Sequence, residues 1–179
     1  SMTIAPPEES LQNALNLLNS AKRPVIIVGH GARFHMPQII ELAEKLKSPV
    51  LTTFKAKGQI SDLHPLGCGV MGRSGTPVAS WFMNESDLLL VIGASFSNHT
   101  GITPKKPTIQ IDFDPLALSK FHAIDVALWG EISVTVKHLN QRITHWDNKI
   151  DQSPEVAERW RIWRAEKQKR LLENKGQGV

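Results

Sequence analysis

The chain has 179 residues, 41% hydrophobic and 21% charged, with a formal net charge of +4. That suffices for one domain with a single core, and no apolar run approaches the roughly 18–20 residues of a membrane span. Its lone cysteine, Cys68, excludes an internal disulfide framework and a cysteine-based zinc cluster.

A reducing, cytoplasmic setting is the default for such a composition. The N-terminus lacks the charged-then-apolar order of a signal peptide. Ser1-Met2 reads as a cloning scar, so a piece of a longer protein is expected. Between Glu155 and Lys175 seven basic residues face four acidic ones, which accounts for three of the four net charges. A mixed-sign helix of this kind is a solvated face or linker, so neither a nucleic acid nor a membrane is an expected partner.

Residues 1–9 are expected to form a flexible lead-in. From Ser10, the residues Leu11, Ala14, Leu15, Leu17 and Leu18 follow helical spacing; Pro7-Glu8-Glu9 suits the first turn, and Arg23-Pro24 stops the helix. Val25–Val28 is apolar and mostly β-branched, which predicts a central strand. It runs into Gly29-His30-Gly31-Ala32 and a helix over Met36–Leu46. The third glycine of the dinucleotide fingerprint is absent, with Phe34 in its place, so ligand approach and tight turn packing both explain the turn. Pro49–Thr53 is the second strand. Phe54–Gly75 carries five glycines and no clear period, and reads as a long functional or ligand-ordered loop that includes the glycine-rich run Gly67–Gly75. His64, in a turn at Ser61–Pro65, is either an acid–base candidate or a structural turn histidine. No His or Asp constellation surrounds Cys68, which reads as a small packing residue.

Thr76-Pro77 caps a helix over Val78–Glu85. Gly72 and Gly75 just ahead of it suggest an anion site to which Arg73 adds a charge; the alternative is a solvated arginine. Asp87–Gly93, with the run Leu88–Ile92, predicts the centre of the sheet. A polar loop Ser95–Thr103 with Asn98 and His99, and a second loop Pro104–Pro107, lead to a strand at Thr108–Asp112. Its terminal acid is suited to ribose hydroxyls. Asp114-Pro115 is expected to cap a short helix. His122–Leu128 is the last strand, and Trp129–Ile132 turns into a helix to about Arg142. Glu131 either orients toward an adenine amine or complements the helix dipole. Trp146–Ser153 reads as a linker, and Pro154–Asn174 as a final helix with Trp160 and Trp163 placed to pack on the body or on a neighbouring domain.

Short apolar runs that stop at Gly, Ser, Thr or Asp predict parallel strands with a binding crevice at their carboxyl ends. The pattern points to a nucleotide-cofactor-binding domain that performs no chemistry alone, with no catalytic residue and no metal ligand of its own.

The motifs Lys22–Ala32, Pro49–Thr53, Gly69–Gly75, Ser86–Gly93 and Ile109–Pro115, in that order, resemble the central domain of thiamine-diphosphate-dependent enzymes. That family includes acetolactate synthase, pyruvate oxidase, glyoxylate carboligase and oxalyl-CoA decarboxylase, and the resemblance covers roughly Ser10 to Ile143. It implies a Rossmann-like, three-layer α/β/α fold with a six-stranded parallel sheet, of the DHS-like NAD/FAD-binding type. It divides the chain into the lead-in, a nucleotide-binding domain over residues 10–145, and a linker and helix over 146–179 leading toward a thiamine-diphosphate-binding domain.

FAD or ADP is the implied cofactor. Gly29 and Gly31 would approach it from the first turn, Thr53 and Phe54 would line its flavin or ribityl side, and Arg73, Ser74 and Gly75 its middle. Gly93, Ala94 and Ser95 would support the pyrophosphate, and Asp112, Phe113, Glu131 and Ile132 would bracket the adenosine end. Acetolactate synthases carry an arginine where this chain has Ser95, Met-His where it has Arg73-Ser74, and Gly-Asp where it has Gly130-Glu131. An empty site serving as scaffold is therefore an alternative, as is a free-standing NAD-dependent enzyme of sirtuin-like fold. Thiamine diphosphate and Mg²⁺ would sit outside this chain, in flanking domains of a parent lyase or transferase that assembles as a homodimer or homotetramer.

Overall fold

The computed structural model describes residues 4–94, 106–114 and 125–177. The strands are β1 (Pro24–Val28), β2 (Val50–Thr52), β3 (Gly67–Val70), β4 (Leu88–Ile92), β5 (Thr108–Asp112) and β6 (Val126–Trp129). The helices are α1 (Glu8–Ser20), α2 (Met36–Leu46), α3 (Pro77–Glu85), α4 (Ile132–Arg142) and α5 (Ser153–Gln177). All six strands are parallel, in the order β3-β2-β1-β4-β5-β6. This is the doubly wound arrangement, in which strand order reverses between β1 and β4.

Alternation along the strands assigns the two faces. Ile26, Val28, Leu88, Leu90 and Ile92 pack with Leu11 and Leu18 of α1, Ile39 and Leu42 of α2, and Val136 and Leu139 of α4. Val25, Ile27, Leu51, Leu89 and Val91 pack instead with Val78 and Phe82 of α3 and Val156 and Trp160 of α5. Both faces being covered, β1 and β4 are buried throughout, which is why they read as continuous apolar runs. The three-layer α/β/α sheet is the fold that the resemblance implied.

The register starts at a carboxylate. Asp87 accepts the backbone N–H of Lys22 at 2.7 Å and of Arg23 at 2.9 Å, joining the entrances of β1 and β4. Further on, Thr76 caps α3 as expected, its hydroxyl accepting the Ala79 N–H at 3.1 Å, with Pro77 in the first turn.

Several boundaries differ from expectation. Gly67–Val70, read as part of a loop, is edge strand β3, and it supplies the sixth strand. A Gly-Cys-Gly-Val run has little β propensity; tertiary contacts make it a strand. A side chain at Gly67 would meet Ser61 O at 2.3 Å, and one at Gly69 would meet the Thr76 methyl at 2.9 Å. The last strand is described over Val126–Trp129, one residue past the expected Leu128, and residues 122–124 of the expected strand lie outside the described residues.

The lead-in is held in place from Ile4. Pro6 is buried, and Ile4 O accepts the Glu131 N–H at 2.8 Å. α1 therefore begins at Glu8, whose carboxylate pairs with Arg142 of α4. The segment read as a linker is also anchored. Lys149 is buried and donates to the carbonyls of Leu18, Asn19 and Ala21 at the C-terminal end of α1, while Gln152 donates to Pro24 O at 3.0 Å. The loops Ser95–Thr103 and most of Pro104–Pro107, and the helix expected after Pro115, lie outside the described residues.

Candidate functional site

The expected site residues follow the carboxyl ends of the six strands in sheet order. At about 4.8 Å per strand this edge is roughly 24 Å long. Thirteen of the fourteen fall among the described residues; Ser95 does not.

At the switch between β1 and β4 the two turns pack directly on each other. A Cβ on Gly29 would lie 2.4 Å from both Ala94 Cα and Gly93 O, and one on Gly31 would lie 3.0 Å from Gly93 O. Gly93 has φ of +65°, the left-handed region that favours glycine. The Gly29 N–H donates to Ile92 O, Gly31 N–H to Gly93 O and Ala32 N–H to Gly29 O. The Gly-x-Gly turn thus commits these donors internally, and turn packing accounts for its glycines. A pyrophosphate here would not be held by them as in the full fingerprint.

The far end of the edge is formed by β5 and β6. Asp112 is half-buried at the end of β5, and its carboxylate accepts the Asp114 N–H at 2.9 Å. Burial pushes its pKa above the ordinary carboxylate value, against the lowering effect of that hydrogen bond. Phe113 and Trp129, 49% and 43% exposed, flank it, and the Trp129 indole donates to Phe113 O at 2.6 Å. An acid ringed by exposed aromatic surface offers hydroxyl acceptance and a stacking face, which suits a nucleoside. Glu131 is the N-cap of α4 and makes no side-chain cap bond, while Ile132 is buried in the core.

The near end lies beyond β2 and β3. Thr53 is half-buried, and Phe54 is 76% exposed in the turn after β2. Arg73 and Ser74 are exposed in the turn before α3, which closes through Gly75 N–H to Gly72 O and Thr76 N–H to Val70 O. Gly75 is required by contact: a Cβ there would lie 2.0 Å from Val70 O. Here the structure brings Lys57, Asp62 and Lys167, which the sequence reading did not single out, beside residues that it did. A cleft of about 480 Å³ is bounded by Ser74 and Gly75, by Lys57 and Asp62 from the β2–β3 connection, and by Trp163 and Lys167 from α5. A second groove of about 530 Å³, on the Arg73 side, is lined by Trp81, Arg159 and Trp163. Lys167 stands four residues after Trp163 and seven after Trp160, so helical spacing was the signal for it; nothing local singles out Lys57.

Two other candidates resolve as structural. His64 Nδ1 accepts the Leu66 N–H at 3.0 Å and its Nε2 lies 3.2 Å from Glu44, which is a turn histidine's role. Cys68 is fully buried, and burial raises its thiol pKa far above the thiolate range. Among the described residues no group of three or more His, Cys, Asp or Glu side chains is placed to hold a metal ion, and no helix is long and apolar enough to cross a membrane.

A family model described as the central domain of thiamine pyrophosphate enzymes matches residues 11–139. The chain belongs to that family. A Methanococcus aeolicus protein described as a probable acetolactate synthase large subunit is 34% identical over 168 residues, which is 90% of this chain and 28% of that protein. The isozyme 1 large subunit of acetolactate synthase from Escherichia coli is 34% identical over 137 residues, 74% of this chain and 24% of that protein. A Bacillus subtilis protein described as thiamine pyrophosphate-containing is 29% identical, over 86% of this chain and 30% of its own length. Among solved structures, a protein from Mycobacterium smegmatis described as a thiamin diphosphate-dependent enzyme superposes with a TM-score of 0.68 at 23% identity. That match covers 84% of this chain and 30% of that one, and it supports the fold alone. The chain spans less than a third of the length of each of these relatives.

Proposed function

We propose that this domain carries the adenosine diphosphate part of FAD, or ADP itself, along the carboxyl edge of its sheet. Its setting would be a thiamine-diphosphate-dependent decarboxylase, carboligase or synthase of the acetolactate synthase type. Thiamine diphosphate, which supplies the nucleophilic carbanion in such enzymes, would be held with Mg²⁺ by flanking domains, and this domain would contribute binding and architecture.

The observation that carries the reading is Asp112: a half-buried carboxylate at the end of β5 beside the exposed rings of Phe113 and Trp129. Its oxygens suit ribose hydroxyls, and the rings suit an adenine. Phe54, exposed after β2, offers a further apolar surface toward the opposite end of the same edge.

A second reading, an empty scaffold, is favoured by the β1–β4 switch, where Gly29 and Gly31 pack against Gly93 and Ala94 and the turn commits its donors internally. Calorimetric titration with ADP and with FAD separates the two. Saturable micromolar binding, weakened about tenfold or more by Asp112→Ala as expected for loss of a charged hydrogen-bond acceptor, supports the nucleotide reading. Absence of binding up to millimolar ligand, both in this chain and in the longer parent, leaves the scaffold reading.

A further inference from the structure

The cleft beside α5 differs chemically from the adenosine end. Trp160 is fixed, its indole donating to Gly67 O at 2.8 Å, and it forms the cleft's base. Trp163, one turn on, is half-buried and presents apolar surface to the cleft. Lys57 and Lys167 line it from two different elements, and Asp62 is the one carboxylate among its described lining residues. Among the described residues neither lysine forms an ion pair. At the inner wall, Thr52 is 2% exposed and its hydroxyl has no hydrogen-bond partner. Thr76, the N-cap of α3, borders the same space, so the positive end of that helix dipole lies nearby.

Two ammonium groups against one carboxylate, around an indole, favour an anion with a flat or apolar body. A volume of about 480 Å³ is in the range of small-molecule sites. Lysine acts on an oxyanion as a mobile point charge, so binding should be strong at low ionic strength and screened by salt.

We propose that this cleft is a second ligand site, for a small phosphate- or carboxylate-bearing molecule whose charged group lies between Lys57 and Lys167 and whose body rests on Trp163. It lies at the opposite end of the edge from Asp112, is bordered by Ser74 and Gly75 where the middle of FAD is expected, and goes beyond the adenosine reading in taking its charge contacts from Lys57 and Lys167.

Phenyl phosphate and benzoate are the probes for the two oxyanions, and phenol is the neutral control. Calorimetry on the purified chain should give saturable millimolar or tighter binding of at least one anion and none of phenol. Replacing both lysines, Lys57→Gln with Lys167→Gln, should weaken it about tenfold or more. Both side chains are exposed, so the fold is retained. Whichever anion saturates names the ligand class. No saturation of either anion up to tens of millimolar, or equal affinity in the lysine double variant, overturns the proposal. Asp112→Ala should leave the anion affinity unchanged. ADP binding that depends on Asp112 but not on the lysines, without anion binding, counts against this cleft alone. Anion binding without ADP binding counts against the nucleotide reading alone.

Discussion

A methyl group at Gly29 would collide with Ala94 Cα, Gly93 O and Ala94 Cβ at 2.4–2.6 Å. None of the three is the end of a flexible side chain, so the glycine is explained by one turn lying against another. Asp112 is the converse case, a residue held in an unfavourable state. Burial raises its pKa in the folded chain above the ordinary value of 3.8. The folded state therefore holds the proton to a higher pH than the unfolded state does. Stability contributed at Asp112 is complete below the unfolded value and declines as pH rises through the folded one. Asp112→Asn keeps the Asp114 N–H bond and removes the decline. Its urea midpoint should exceed the parent's at neutral pH and converge with it below pH 3.8. A midpoint lower than the parent's at neutral pH would mean that the carboxylate stabilises the fold. Such a cost in the unliganded fold fits a residue retained for binding.

At the scale of elements, the C-terminal end of α1 is closed by a side chain from far along the chain. Lys149 places its ammonium group among the carbonyls of Leu18, Asn19 and Ala21. Its charge complements the negative end of the helix dipole, while desolvation by burial lowers its pKa. Lys149→Met leaves these acceptors without their donor and should cost about 3 kcal/mol in chemical denaturation. A change under about 0.5 kcal/mol would show that water replaces the ammonium group fully. The start of α5 is tied by a second network. Glu155 accepts Arg23 at 2.5 Å and the Trp81 indole at 3.0 Å, and Arg159 stacks 3.2 Å from the Trp81 ring centroid. Burial works to raise the Glu155 pKa, but the bonds from Arg23 and Trp81 outweigh it and hold it below the usual range. That contribution is present above the unfolded pKa and is lost as pH falls through the folded one.

Across the molecule, α5 has two unlike halves. Val156 and Trp160 belong to the core cluster on the α3 face, and from Arg164 to Gly176 every residue is exposed. Removing the chain from Lys169 onward should leave unfolding free energy within about 0.5 kcal/mol of the intact chain. Trp160→Ala should cost about 3–5 kcal/mol, since it opens the core under β3 and orphans Gly67 O. Equal effects of the two changes would mean that the distal half also contributes to the core. Leu171 and Leu172, 51% and 60% exposed, lie in that distal half.

The apolar periods of Val25–Val28, Leu88–Ile92 and Thr108–Asp112, and the caps of α3, were legible because they are local. A buried parallel strand must be apolar on both faces, and a helix start needs its acceptor within three residues. Asp112 was legible for the same reason, as the acid ending an apolar run. Strand β3, the anchoring of residues 4–7 and 146–152, and the cleft between Lys57 and Lys167 were not. Each depends on partners far away in sequence: Trp160 over Gly67, Glu131 on Ile4, Lys149 on Leu18. No propensity or spacing encodes which distant carbonyl a given donor will reach. The Gly-x-Gly turn shows the same division, since the local pattern called for glycine while the tightness of its packing rests on the chain at Gly93-Ala94.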